Sequence, residues 1–391
     1  MALPFMIRRV ELRNYRSIEH CDVELGPLMF LVGPNASGKS NFLDALRFVA
    51  DCLNTSVEQA LRSRGGFRWV CRMGAAKTFS IKLVLALGSE FSAEYFMEIG
   101  ANSEERLYGI VRENCAITVW QGAEKKFHFA RSLSGIEVQP ETYHYPHPPP
   151  YALFLPFLSG WPHFGTLLLA MARMAFYTPK IDAIREHQKA DEFVTRLDRD
   201  ASNLAAVYRK ISTERPDTAI RILEYLSVIV PRLRGITARD VGERLTLIYG
   251  ETAQPGEDEN ALYASSMSDG TLRMTAILVA LFQPMEATGG ATSVGIEEPE
   301  MGLHPAAAEV LYDSLLEATQ FRQVMITSHS SELLERDDID PKSILAFSAE
   351  GGSTLVEPLD DTVRSILREK LSTPGELLRK DLLGPQRSLA R

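Results

Sequence analysis

Within VGIEEPEMGLHP, residues Val294–Pro305, three glutamates crowd together, Glu297, Glu298 and Glu300, and His304 follows closely. Carboxylates at this density can cage a metal with the histidine, serve as an acid/base pair, or form the hydrolytic half of a nucleotide site. The last use needs a phosphate cradle elsewhere. Gly33, Pro34, Asn35, Ala36, Ser37, Gly38, Lys39 and Ser40 match G-x-x-x-x-G-K-[ST]. In that pattern glycines let the backbone wrap phosphate so that amide N–H groups and a helix N-terminus point at it. Lys39 supplies a cation and Ser40 a hydroxyl for Mg²⁺. With both halves in one chain, Glu297 is expected to hold the metal, directly or through water, and Glu298 to act as general base on the attacking water. The blander readings need no phosphate loop: a solvated acidic turn capping a helix that starts near Pro305, or a separate metal site of Glu297, Glu300 and His304.

These groups require elements to hold them. The apolar run PLMFLV ends in GPNASGKSNF, and Phe42, Leu46, Val49 and Leu53 then recur at helical spacing, so strand, glycine loop and helix follow in order. VGIEE reads as a strand ending in carboxylates, at the edge where ligands of open α/β sheets bind. Upstream, SSMSDGT opens a helix with Met274, Ile277, Leu278 and Leu281 on one face, placing Ser268 and Gly270 at its mouth. Downstream, RQVMITSHSS is an apolar strand ending in His329. RRVELRNY alternates as a half-exposed strand, and period-two runs from Thr78 through FHFAR predict an antiparallel meander. The proline-rich PETYHYPHPPPYALFLPF breaks that pattern before a mainly helical stretch, His163–Pro231, and a short strand signal at RLTLIY. The expected organisation is an N-terminal half over 1–140, an inserted mainly helical lobe over 141–264, a C-terminal half over 265–360 and a helical tail over 361–391.

Taken together, these pieces resemble the ABC-type ATPase heads of the SMC, RecF and overcoming-lysogenization-defect (OLD) group. GPNASGKS resembles the Walker A motif, MSDGT the signature loop, GIEEPEMGLHP the Walker B motif with the following D-loop, and TSHS the switch histidine. RNYRSI resembles the element that precedes Walker A in these proteins. The resemblance implies a P-loop α/β fold with a central, mostly parallel sheet, an antiparallel β-meander subdomain and a helical lobe inserted between Walker A and signature. It further implies ATP and Mg²⁺ as ligands, with Gly33 to Asn41 on the nucleotide, Ser40 and Glu297 on the metal, and Glu298 and His329 as catalytic residues. Ser268 and Gly270 would reach the nucleotide from a second copy, so that a homodimer or higher homo-oligomer sandwiches ATP. The SDGT variant, EEPExGLHP and LDRDASNLAAV are similar to compact ATPases of bacterial anti-phage defence loci, which implies a separate effector, a nuclease or toxin. The departures are a glutamate, Glu297, at the usual Walker B aspartate, and the lack of an identifiable Q-loop glutamine, with Gln121 a weak match.

Other readings are narrowed by composition and spacing. A net charge of −9 disfavours nucleic-acid binding over the whole surface, leaving Arg62, Arg64, Arg68 and Arg72 as the basic patch for the alternative function, a DNA-repair or chromosome-processing ATPase that grips DNA directly. Cys21, Cys52, Cys71 and Cys115 lack disulfide or CxxC spacing. No secretory h-region or long apolar span is read, so a cytoplasmic protein without membrane contact is expected. No sustained heptads predict coiled-coil arms. The Asp338/Asp340 pair in ERDDIDP lacks the preceding strand that a Toprim nuclease centre requires, and His144 and His147 lack partners for a metal.

Overall fold

The computed structural model describes residues 5–74, 77–101, 108–140, 145–191, 193–251, 260–284 and 291–384. In chain order, β1 (Met6–Tyr15) and β2 (Ile18–Glu24) form a hairpin, followed by β3 (Leu28–Val32), α1 (Lys39–Asn54), α2 (Val57–Arg62) and α3 (Phe67–Val70). The meander comprises β4 (Thr78–Leu87), β5 (Phe91–Ala101), β6 (Tyr108–Trp120), β7 (Glu124–Ser132) and β8 (Gly135–Gln139). Then come α4 (Pro162–Ala172), β9 (Ala175–Tyr177), α5 (Ile181–Arg185), β10 (Gln188–Lys189), α6 (Leu204–Glu214), α7 (Pro216–Ile229), β11 (Leu233–Val241), β12 (Arg244–Glu251) and β13 (Asn260–Tyr263). The last section holds α8 (Asp269–Phe282), β14 (Ser293–Glu297), α9 (Pro305–Ala318), β15 (Gln323–Ser328), β16 (Ile344–Glu350), β17 (Ser353–Pro358), α10 (Asp361–Arg368) and α11 (Pro374–Arg379).

One sheet of 13 strands runs β8-β7-β6-β5-β4-β1-β2-β17-β16-β3-β15-β14-β9. From β16 to β9 every neighbour is parallel, and these strands are short apolar runs because helices cover both faces. Every residue of β3 and β15 is buried. Alternation sorts β3 between two cores: Met29 and Leu31 pack with α1 and the meander, and Phe30 and Val32 with α6, α8 and α9. The meander is antiparallel and continues this same sheet through β1 and β2.

Between the phosphate loop and Ser268 the chain carries α4 to α7 where a mainly helical stretch is expected, β12 where RLTLIY reads as a strand, and the further strands β9, β10, β11 and β13, which the sequence reading did not include. β9 is the edge of the parallel core, where AFY is too short to show a period. β10 to β13 make a second, antiparallel sheet, with β12 between β11 on one side and β10 and β13 on the other. No helix among the described residues is long and apolar enough to cross a membrane. All four cysteines are buried and none is in a disulfide.

Candidate functional site

Strand register assembles the site. Glu297 pairs with Thr327, Thr327 with Leu31, and Ser328 with Val32. The carboxyl ends of β14, β15 and β3 therefore lie level, and the next residues of each, Glu298, His329 and Gly33, emerge side by side.

Gly33 can only be glycine, because a Cβ there would sit 2.3 Å from the Phe347 carbonyl oxygen. Gly38 has φ +100°, and its Cβ would meet Thr354 Oγ1 at 2.1 Å, so β17 packs directly under the loop. Ala36 is left-handed at φ 62°. Ser37 is fully buried with an unpartnered Oγ, whereas Ser40 is exposed on the first turn of α1. Lys39 Nζ donates to the carbonyls of Gly33 (2.7 Å) and Pro34 (2.9 Å), spanning the loop's mouth. Burial holds its ammonium below the ordinary lysine value, against the pull of Glu298 and Glu300. A glycine cradle without room for Cβ, an orphaned hydroxyl within it and a desolvated cation across it fit a nucleotide's phosphates.

Asn41 is tied down from outside the loop. Its amide donates to Ser17 Oγ at 2.6 Å, and Ser17 bonds Thr354 Oγ1 at 2.7 Å. Below it Asp44 collects Tyr15 Oη (2.8 Å), Arg16 Nη2 (2.9 Å), Arg64 Nε (3.0 Å) and Arg47. This buried network, which the sequence reading missed, anchors the phosphate helix to the RNYRSI turn. Its only trace in the sequence is an aspartate on the apolar side of an amphipathic helix.

At the acidic turn the three glutamates do different work. Glu297 Oε1 accepts from Thr178 Oγ1 and Arg199 Nη2, both at 3.2 Å. Glu298 is left-handed at φ 46°, with its N–H donating to Thr327 O and Oγ1, each at 3.1 Å. Its carboxylate lies 3.5 Å from His329 Nδ1. Glu300 is buried, accepts from Ser328 Oγ at 2.6 Å and the His329 N–H at 3.4 Å, and thereby positions the histidine. Burial pushes its carboxyl up. His304 caps α9, accepting from the Ala306 N–H through Nδ1, so the Glu297–Glu300–His304 cage does not form. Among the described residues no group of three or more His, Cys, Asp or Glu is placed to hold a metal by itself. Exposed Ser40 and partly exposed Glu297 suit a divalent ion only with the nucleotide's own oxygens.

Ser268 caps α8, accepting from the Thr271 N–H at 3.2 Å, and Asp269 is paired with Arg185 at 2.6 Å. Gly270 packs against the Gly302 carbonyl oxygen, 3.0 Å from where a Cβ would be. Gln121 lies in the exposed turn between β6 and β7. Asp338 pairs with Arg336 and Asp340 caps the turn at Lys342. His144 lies outside the described residues. The basic patch is broken up: Arg64 is buried on Asp44 and Asp51, Arg62 pairs with Glu58, and Arg72 with Glu19.

Residues 6–85 match the family described as an "AAA ATPase domain", and residues 145–335 the one described as "AAA domain, putative AbiEii toxin, Type IV TA system". The chain is 24% identical to an OLD nuclease of Thermus scotoductus, over 98% of this chain and 71% of that protein. Its fold is similar to an Smc head bound to the C-winged helix domain of ScpA, with TM-score 0.50, 16% identity, and coverage of 90% of this chain and 97% of that one. An Smc head with an extended coiled coil, bound to the C-terminal domain of ScpA derived from Pyrococcus furiosus, gives TM-score 0.51 at 14% identity, over 93% and 99%. The chain is an ATPase with the fold of the ABC-type Smc heads. In this ATPase the G-x-x-x-x-G-K-S pattern occupies the loop 33–40, the glutamates close β14, and TSHS ends β15.

Proposed function

We propose that this ATPase hydrolyses ATP in a site shared between two copies, and that formation and release of the nucleotide-bound pair controls a separate effector, a nuclease or toxin, in defence against phage. The observation carrying this reading is the division of the motifs. Walker A, Glu297, Glu298 and His329 converge at the level ends of β3, β14 and β15, while Ser268 and Gly270 make their contacts to Thr271 and Gly302. A hydroxyl and free amides at the mouth of the 14-residue α8 suit an anion brought by another molecule.

In this reading Lys39 and the loop amides bind the β- and γ-phosphates of ATP. Ser40 and Glu297 would hold Mg²⁺, which supplies neutralisation of phosphate charge. Glu298 takes a proton from the attacking water as its oxygen bonds the γ-phosphorus and the bond to the ADP oxygen breaks. His329, fixed by Glu300, orients Glu298 and the water. Ser268 and Gly270 of the second copy contact the γ-phosphate, so its loss opens the pair. The family match to an AbiEii-type domain and the OLD nuclease relative support an effector in defence. The two Smc heads bound to domains of ScpA support docking of a separate partner. The neutralised arginines of the 62–72 segment weigh against a direct grip on DNA there.

The test mixes two nearly inactive variants. Ser268→Arg keeps one-site nucleotide binding but blocks the shared site, and Lys39→Ala loses nucleotide. A mixed pair restores one composite site, so partial recovery of ATP turnover on mixing is expected. Parental turnover by Ser268→Arg alone would refute the shared site.

A further inference from the structure

Arg199 stands in the LDRDASNLAAV stretch, to which no role at the site has been given, and it is the cation bound to the proposed metal carboxylate. Its Nη2 lies 3.2 Å from Glu297 Oε1 and 3.5 Å from Thr178 Oγ1. Among the described residues, Glu297 makes no other ion pair within salt-bridge distance. The backbone beneath is strapped. Thr178 N–H donates to Arg199 O at 2.8 Å and Lys180 N–H to Asp200 O at 3.0 Å. Asn203 closes the loop, with Oδ1 accepting from Asp198 N–H at 2.8 Å and Nδ2 donating to Arg196 O at 3.0 Å. Only the side chain, 50% exposed, is free to move.

Glu297 faces a charge problem that this arrangement resolves. Glu298 and Glu300 follow within three positions, and Glu300 is buried with Oε2 unpartnered. A bare Glu297 carboxylate would add a third like charge at this strand end, and the guanidinium offsets it. A divalent ion held by the same carboxylate, directly or through water, would set two cations against each other within a few ångströms. The half-exposed guanidinium, anchored by one long flexible stem, is the partner that can leave. We propose that Arg199 is the exchangeable cation of the metal site: it occupies Glu297 in the nucleotide-free protein and is displaced when Mg²⁺ is held there with ATP. The Mg²⁺ requirement for nucleotide loading is then set by competition with Arg199, and metal capture is coupled to release of the Arg199 side chain toward solvent. This inference rests on the reading of Glu297 as a metal ligand.

Binding of mant-ATP, followed by fluorescence at fixed nucleotide while Mg²⁺ is titrated, tests it without turnover. Arg199→Gln should lower the half-saturating Mg²⁺ concentration by about three- to five-fold, the scale of a partly exposed ion pair. Arg199→Lys, which keeps a cation and serves if the glutamine variant is unstable, should fall between it and the parent. In a Glu297→Gln background the Arg199→Gln change should have no further effect on the Mg²⁺ curve. An unchanged or increased Mg²⁺ requirement in both Arg199 variants, with Glu297→Gln shifting the curve, overturns the exchange alone. A parental curve from Glu297→Gln overturns the metal reading and the exchange with it.

Discussion

Replacing Glu298 by Gln separates chemistry from architecture at this site. The Glu298 N–H is pinned to Thr327 O and Oγ1 at 3.1 Å each, and the backbone sits at φ 46° whatever the side chain carries. Glutamine has the same length, so its amide falls where the carboxylate was, 3.5 Å from His329 Nδ1. It cannot accept the water's proton. Loss of a positioned general base lowers the rate by about 10²–10⁴-fold, equivalent to roughly 2.7–5.5 kcal/mol in the barrier. Phosphate binding should hold or tighten, because one negative charge that pulls on Lys39 is gone. Single-turnover phosphate release with mant-ATP affinity measured in parallel gives both quantities. Size-exclusion chromatography with ATP should show the variant accumulating as a larger species. Release within about threefold of the parental rate would refute Glu298 as the base. A matched loss of ATP affinity would refute the claim that geometry is preserved. Glu298→Gly supplies a control: the left-handed backbone is relieved, by about 1 kcal/mol, so it should fold at least as stably yet remain inactive.

Gly38→Ala should abolish ATP binding and cost several kcal/mol of stability in urea unfolding, because its Cβ would lie 2.1 Å from Thr354 Oγ1 at φ +100°; parental ATP affinity would contradict the close packing of β17 under the loop. Glu113 gives a pH signature away from the site. Burial pushes its carboxyl up to about 6 from 4.5, although it accepts from Leu155 N–H and Tyr95 Oη, each at 3.0 Å. The folded chain therefore keeps a proton that the unfolded chain releases, and this group's contribution to stability grows as pH falls through 6 and is complete below about 4.5. The stability of the parent relative to Glu113→Gln should rise by about 2 kcal/mol from pH 7.5 to pH 4.5 in urea titrations, and a flat difference would count against the assignment.

The parts of the site that depend on local chemistry were legible in the sequence. The phosphate loop announces itself because wrapping an anion in backbone amides demands glycine at fixed spacing, and Lys39 and Ser40 must follow at once. β3, β14 and β15 were visible as unbroken apolar runs, since a strand covered on both faces has no polar side. β9 was not, because three buried residues carry no period, and its place was decided by the open edge of β14. The residues around Glu297 illustrate the same limit. Thr178 and Arg199 lie 119 and 98 positions away in sequence and meet it only through the sheet and the strap between them. Arg64, which looked like part of a basic surface, is buried on Asp44, since a charge run does not record which of its members face inward. Glu300, read as one acid of a cluster, is a buried acceptor holding His329. The sequence alone determined which groups could bind phosphate and activate water, because those properties reside in residue type and short spacing. Which carboxylate meets the histidine, which meets a cation and which is sealed inside was decided by tertiary structure, because register and burial are set by strands far apart in the chain.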